Sequence, residues 1–382
     1  MLSRRHLIAS SLATLGFGLA AQRGFASEPF AGLSTPRADL SDIRDLRAKA
    51  AAWLAGQQRV DGRLVPDDRF AVGVTALATL ALLAAGGPGG YAPDHPTVRN
   101  AIAFIRSWRQ PDGGFYDPRD GHALYGTSLV LQVFAAAGET AGVADATAFL
   151  LGTKRAADTG ADDCGEGGFA ADANGIPDLH ATTAAIDGLV ASGLSLEDPN
   201  LVAARRFVAR CQDGFGGAVY SPDPRMAAGD HDSSGASQPA KPAAYGSMTH
   251  SLIADLVVLG VKVDDPRVST ALGWVGRNWS LERHPGRPEG RGQEGLFGYY
   301  AAVGKSCHLL QRDMIPRPDG TMIDWRGELA AALRSRAQAQ RLPSGVDGLC
   351  WRNGADRWGE AMPHLATCYA LRCLAWIDEG QS

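Results

Sequence analysis

Mostly apolar runs at helical spacing recur along the chain, and each sits behind a Gly-rich turn. Residues 110–115, Gln-Pro-Asp-Gly-Gly-Phe, lead into the apolar run 122–138 and give the clearest copy. Placing Thr75, Thr127, Thr182, Thr249 and Thr367 in register aligns five such runs. Eleven residues beyond the first four stand Gly86, Gly138, Gly193 and Gly260, where glycine closes a helix in the left-handed conformation. The turns upstream read Gln58…Asp61-Gly62, Gln110…Asp112-Gly113-Gly114-Phe115, Glu166-Gly167-Gly168-Phe169, Gln212-Asp213-Gly214-Phe215-Gly216-Gly217 and Asp347-Gly348. A further unit, 268–310, has Gln293-Glu294-Gly295-Leu296-Phe297 as its turn and lacks the Thr mark. The pattern predicts six helix–turn–helix units beginning near residues 45, 97, 143, 200, 267 and 326.

Within each run, 100° per residue groups the positions into faces. Positions +3, +4 and +7 from the Thr are apolar apart from Thr79, as in Val130, Leu131, Phe134 and Leu252, Ile253, Leu256. Positions −2, +1 and +5 are small or polar and collect Tyr125, His180, Ser247, His250, Gln132, Asp187 and Arg372. The aliphatic face is expected to pack on a neighbouring layer and the polar face to line a cavity. His180 and Asp187, seven residues apart, lie roughly 10 Å from each other along one stripe. An Asp among the apolar residues 184–190 needs a partner or takes a raised pKa. A pairing with a cation from a neighbouring helix is the structural explanation for Asp187, and an ordinary satisfied polar role is the one for His180. Asp255 falls one position off the expected cavity face.

Composition changes little in this picture. The 382 residues carry a net charge of −4 and a pI near 6.1, which gives no electrostatic case for nucleic acid. The N-terminus is different in kind. Ser3-Arg4-Arg5 precedes a weakly apolar stretch and the small residues around Gly24 and Ala26, the pattern of a twin-arginine signal peptide over residues 1–26. Residues 27–44 then form an extended lead-in, and 45–382 a single domain, expected outside the cytoplasm, most simply in the periplasm. No other stretch is long and apolar enough to span a bilayer. Six cysteines show no CxxC spacing and are expected as mostly buried thiols. The long segment 221–244, rich in Pro, Gly, Ser and Asp, is expected either to cover one mouth of the domain or to be disordered.

Six hairpins with Gln…Asp-Gly-Gly-Phe turns resemble the prenyltransferase/squalene-oxidase repeat family, which includes protein prenyltransferase β-subunits and squalene–hopene cyclases. The resemblance implies an all-α fold, an α6/α6 toroid with six inner helices around a central cavity and six outer helices around them. It implies, as the leading function, an exported squalene-cyclase-like protein whose cavity takes an isoprenoid or other apolar lipid. Acid-initiated cyclisation or isomerisation would then use Asp187 as acid, with His180 and Tyr125 beside it, and Gln132, His250, Ser247 and Arg372 as substrate contacts. The family's Asp-x-Asp-Asp acid motif has no counterpart; the nearest string is Asp230-His231-Asp232-Ser233 in the long segment, so Asp230 and Asp232 are further candidates. No cofactor is implied, with zinc as the alternative: Asp162-x-Cys164 with His180 or His364 imitates the ligand types of the prenyltransferases. Cys164-Gly165-Glu166-Gly167 resembles a thioester motif, yet Gly167 lacks the side chain that chemistry needs. Two other classes stay open: a non-catalytic toroid that binds a ligand or a protein partner, and a polysaccharide lyase or hydrolase using His180, Tyr125 and Arg372.

Overall fold

The computed structural model describes residues 40–66, 69–86, 90–155, 164–171, 175–226 and 243–379. Twelve α-helices among them alternate between an outer and an inner ring. The outer helices are α1 (Leu40–Ala55), α3 (Pro96–Ser107), α5 (Val143–Gly152), α7 (Pro199–Arg210), α9 (Pro266–Asn278) and α11 (Trp325–Arg336). The inner ones are α2 (Ala71–Ala84), α4 (Ala123–Ala137), α6 (Leu179–Ala191), α8 (Gly246–Val258), α10 (Leu296–Leu310) and α12 (Pro363–Glu379). Each inner helix packs on the next, and α12 packs on α2, so the inner ring closes. The fold is the α6/α6 toroid that the family resemblance implies, built from the six hairpins that the repeats predict.

The Thr mark explains itself. Thr75, Thr127, Thr182, Thr249 and Thr367 are fully buried, and each hydroxyl accepts the backbone N–H of a residue in its own turn. The donors are Leu64, Phe115, Phe169, Ala218 and Trp351, at 2.9–3.1 Å. A turn must bury its backbone here, and an unpaired buried N–H is costly, so one hydroxyl per unit answers the same local problem five times. The corresponding place on α10 holds Tyr300, whose hydroxyl donates to the carbonyl of Leu281. The loop N–H groups at the start of α10 are met instead by Glu360, which accepts from Phe297 (3.2 Å) and Gly298 (2.7 Å).

Gln and Gly do the rest of each turn. Gln58 donates to the carbonyls of Gly62 and Thr97, and Gln212 to those of Gly216 and Arg267, tying each turn to the next outer helix. Gly216 adopts φ +94°, and a Cβ on it would stand 2.4 Å from the carbonyl oxygen of Thr270. The register of the fourth turn differs from the sequence expectation. Ala218, bridged to Gln212, takes the place that Phe115 and Phe169 fill elsewhere, which leaves Phe215 exposed at the tip.

Three outer helices start alike: His95, Asp198 and Asp265 accept the N–H two residues on, with Pro at the first helical position. Gly138, Gly193 and Gly260 end α4, α6 and α8 with positive φ, whereas Gly86 does not adopt it. The α11 helix stops at Arg336. Beyond it Gln338–Arg341 (β3) pairs antiparallel with Asp347–Cys350 (β4), and Trp53 Nε1 donates to Gln340. A second short hairpin, Met314–Pro316 (β1) with Met322–Asp324 (β2), links α10 to α11.

The core lies between the rings. Positions +3, +4 and +7 of every Thr-marked helix are fully buried, and with Tyr300 as zero the same holds for Val303, Gly304 and Cys307 of α10. Ring closure is sealed by charge: Arg47 and Arg44 of α1 reach Asp378 at 2.6 and 3.3 Å, and Arg334 reaches Asp42 at 2.7 Å. Cys211, Cys307, Cys350, Cys368 and Cys373 are buried free thiols, and Cys164 is half-buried. No helix among the described residues is long and apolar enough to cross a membrane.

Candidate functional site: the wall of the central chamber

The inner helices turn one stripe inward, at positions −2, +2 and +5. At −2, Gly73, Tyr125, His180, Ser247, Gly298 and Leu365 all keep accessible surface although they sit on the innermost layer. At +2, Leu129, Ala184, Ala302 and Tyr369 do so, and at +5 Asp187, Lys305 and Arg372. The stripe was expected at −2, +1 and +5. Position +1 is rotated roughly 70° from the stripe centre at 3.6 residues per turn, which turns it against a neighbouring helix. Hence Ala76, Ser128, His250 and Cys368 are buried, and Thr183 and Ala301 are the accessible exceptions.

Two of the predicted contacts are corrected, His250 at +1 by this rotation and Gln132 at +5 by its burial. His250 is buried against Trp279 and Tyr299, its Nδ1 shares a 2.7 Å hydrogen bond with Ser306 Oγ, and burial drives its imidazole pKa to about 3. It packs between α8 and α10 and does not face the chamber. Gln132 is buried as well, its amide turned back toward the Ser128 carbonyl. Asp230, Asp232 and Asp162 lie outside the described residues.

The mouth of the chamber is formed by the −2 residues. His180 is exposed, yet the surrounding protein desolvates its ring and, with a smaller contribution from nearby His122, lowers its pKa to about 4. A side chain facing an internal cavity shows this combination of accessible surface and lost hydration. Its Nδ1 meets the Tyr125 hydroxyl at 3.1 Å, so the structure brings together the two residues that the sequence placed at equivalent points of adjacent helices. Ser247 lies on the same rim, its N–H donating to His284 Nε2.

Seven residues deeper, roughly 10 Å below at 1.5 Å per residue, the chamber has a charged floor. Asp187 of α6 is held by Lys305 of α10 through both oxygens, at 2.6 and 2.7 Å. This pair reaches past α8. Behind it Asp255 is fully buried on α8, and its Oδ2 accepts the Thr183 hydroxyl at 2.6 Å. Its Oδ1 has no hydrogen-bond partner. Desolvation raises the Asp255 pKa to about 7; Lys305 and Thr183 oppose the rise and Asp187 adds to it. Arg372 enters at the same level from α12, opposite α6 in the ring.

The expectation that Asp187 needs a partner is met by Lys305. A second carboxyl, Asp255, lies fully buried behind the wall, one position off the expected stripe, with its pKa raised. Lys305 escaped the sequence alignment because its helix lacks the Thr mark; with Tyr300 as zero it falls at +5. Cys164, His180 and His364 do not converge, and no group of three or more metal-ligating side chains occurs among the described residues. A surface cleft of about 550 Å³ between Phe215, Trp274 and Arg277 is on the outer rim, apart from the chamber.

Solved structures share this architecture. Type II terpene cyclase MstE from Scytonema superposes with a TM-score of 0.55 at 15% identity, over 88% of this chain and 98% of that one. The chain has a terpenoid-cyclase-like fold. The same cyclase in complex with its substrate geranylgeranyl dihydroxybenzoate matches with a TM-score of 0.54 at 13% identity, over 89% of this chain and 99% of that one. A protein from Actinoplanes matches with a TM-score of 0.52 at 14% identity, over 89% and 99%. No protein-family model and no curated protein matches the sequence.

Proposed function

We propose that the protein binds an isoprenoid or similar apolar chain in the central chamber and initiates its cyclisation or isomerisation by protonation. The observation that carries this reading is Asp255, a buried carboxyl whose pKa burial raises to about 7, with one oxygen free of partners. The proton leaves Asp255 for a carbon–carbon double bond, whose π electrons form the new C–H bond and leave a tertiary cation. A second double bond then attacks that cation to close a ring, or a neighbouring C–H bond gives up its proton to complete an isomerisation. The carboxylate left on Asp255 is met by the Thr183 hydroxyl and the Lys305 ammonium, which steadies the conjugate base. At the mouth, neutral His180 is free to accept the terminating proton, and Tyr125 offers a ring face to passing cationic charge. The reading is supported by MstE, a terpene cyclase of the same fold, with its prenylated ligand. The N-terminal twin-arginine pattern supports an exported location for this activity.

A second reading, a toroid that binds without chemistry, is favoured by the fully paired Asp187 and by a chamber wall rich in Gly, Ala and Ser. One experiment separates them. Native mass spectrometry of the purified protein identifies a bound apolar ligand, and gas chromatography of incubations with linear polyprenols and prenylated aromatic acids detects cyclised or isomerised product. The enzyme reading predicts product from wild type and a loss of about 10³-fold for Asp255→Asn with folding intact. Ligand retention by both proteins without product supports the binding reading. Since the acid form of Asp255 is the active one, the rate is expected to fall as pH rises through about 7.

A further inference from the structure

Arg372 brings to the chamber wall a charge that no described side chain pairs. Its guanidinium lies over the Trp376 ring at 5.0 Å, and it makes no hydrogen bond or ion pair among the described residues. Burial lowers its pKa, and Asp187 counters that only from a distance. A guanidinium presents five donors and stays protonated throughout the physiological range, so leaving them unmet deep inside a protein is costly. The side chain keeps accessible surface, and that surface belongs to the chamber stripe. Tyr369, one turn earlier on the same stripe, likewise has a hydroxyl without a hydrogen bond among the described residues. Asp187 is paired with Lys305, so the cation left without a contacting partner at the floor is Arg372.

The wall from α12 round to α4 is built otherwise. At +2 and +5, α2 has the buried Leu77 and Leu80, and α4 has the accessible Leu129 and the buried Gln132, so no charge faces Arg372 from those two helices. One half of the chamber is therefore apolar and the other ends in an unpaired cation.

We infer that the chamber selects an amphiphile whose apolar chain carries an oxyanion head group, a carboxylate or a phosphate, and that Arg372 with Tyr369 is the anchor for that head. The inference concerns binding in the chamber and holds whether or not the bound chain is cyclised. It deepens the isoprenoid reading by naming the ligand's polar end.

Calorimetric titration of the full chain with three probes sharing one farnesyl chain tests it: the carboxylic acid, the monophosphate and the neutral alcohol. Wild type is expected to bind at least one of the two anions about tenfold or more tighter than the alcohol. Arg372→Gln is expected to abolish that preference and leave the alcohol's affinity unchanged. Arg372→Lys keeps the charge without the fork and should retain only part of the preference. The melting temperature of unliganded Arg372→Gln should equal or exceed that of wild type, because an unmet buried charge has been removed; this also shows that the variant folds. The two anions distinguish carboxylate from phosphate as the natural head. Equal binding of all three probes by wild type, or an anion preference that survives in Arg372→Gln, overturns the assignment. Absence of turnover does not bear on it, and cyclisation of the neutral alcohol without anion preference would sustain the enzyme reading while refuting this one.

Discussion

The two ends of each inner helix's pattern behave in opposite ways. On the turn side the same Thr hydroxyl caps the same turn N–H in five units, and a Tyr or Glu stands in on the sixth. On the chamber side no two units agree: position +5 runs Leu80, Gln132, Asp187, Ala254, Lys305, Arg372. Both stripes belong to the same helices and are equally central to the fold. A turn that buries its backbone has one cheap solution, so it repeats. A chamber wall is under no such uniform demand, and its residues differ from helix to helix.

This contrast can be broken from either side, and the turn side should break hardest. Gly216→Ala forces a Cβ onto a φ of +94° and against the Thr270 carbonyl, so about 3 kcal/mol of stability is expected to go. That corresponds to roughly 4 °C in the melting temperature of a chain this long, read by calorimetry. On the chamber side, Lys305→Ala strands Asp187 beside Asp255. It is expected to cost about 2 kcal/mol, discounted from a fully buried pair because both side chains keep about a fifth of their surface. The same change should raise the Asp255 pKa further, seen as a shift of the carboxyl titration by carbon-13 NMR. Thr127→Val removes one acceptor from the Phe115 N–H and is expected to cost about 1–2 kcal/mol with chamber binding untouched. If Thr127→Val abolished ligand binding while the melting temperature held, the division between the two stripes would be wrong.

Proton linkage at His180 gives the smallest effect. Its folded pKa, about 4, lies below the ordinary value near 6.5, so the folded state binds the proton less readily than the unfolded one. Stability is then present above pH 6.5 and declines as pH falls toward 4. His180→Gln should flatten that part of the stability curve.

How much of this was legible in the sequence follows the same division. The toroid, the six hairpins and the buried +3, +4, +7 face could be read because they repeat, and repetition averages out the ambiguity of any single helix. The chamber stripe was read one position off, at +1 in place of +2. Ser128 and His250 looked like polar wall residues, but a small hydroxyl and a hydrogen-bonded imidazole also fit helix–helix seams. Lys305 could not be placed without recognising Tyr300 as the stand-in for Thr. The pairing of Asp187 with Lys305, 118 residues apart, depends on ring closure, which no local pattern states. Asp255 sat next to the stripe and was demoted for it, although a carboxyl just behind a cavity wall is better shielded from water than one on it.

The chemistry has one direct readout. Incubating the protein with a linear isoprenoid in heavy water and analysing the product by mass spectrometry follows the initiating proton itself. The account predicts one deuterium newly bonded to carbon in each product molecule, absent when Asp255 is replaced by Asn. Product that forms without deuterium, or forms equally well in the Asp255→Asn protein, would contradict it.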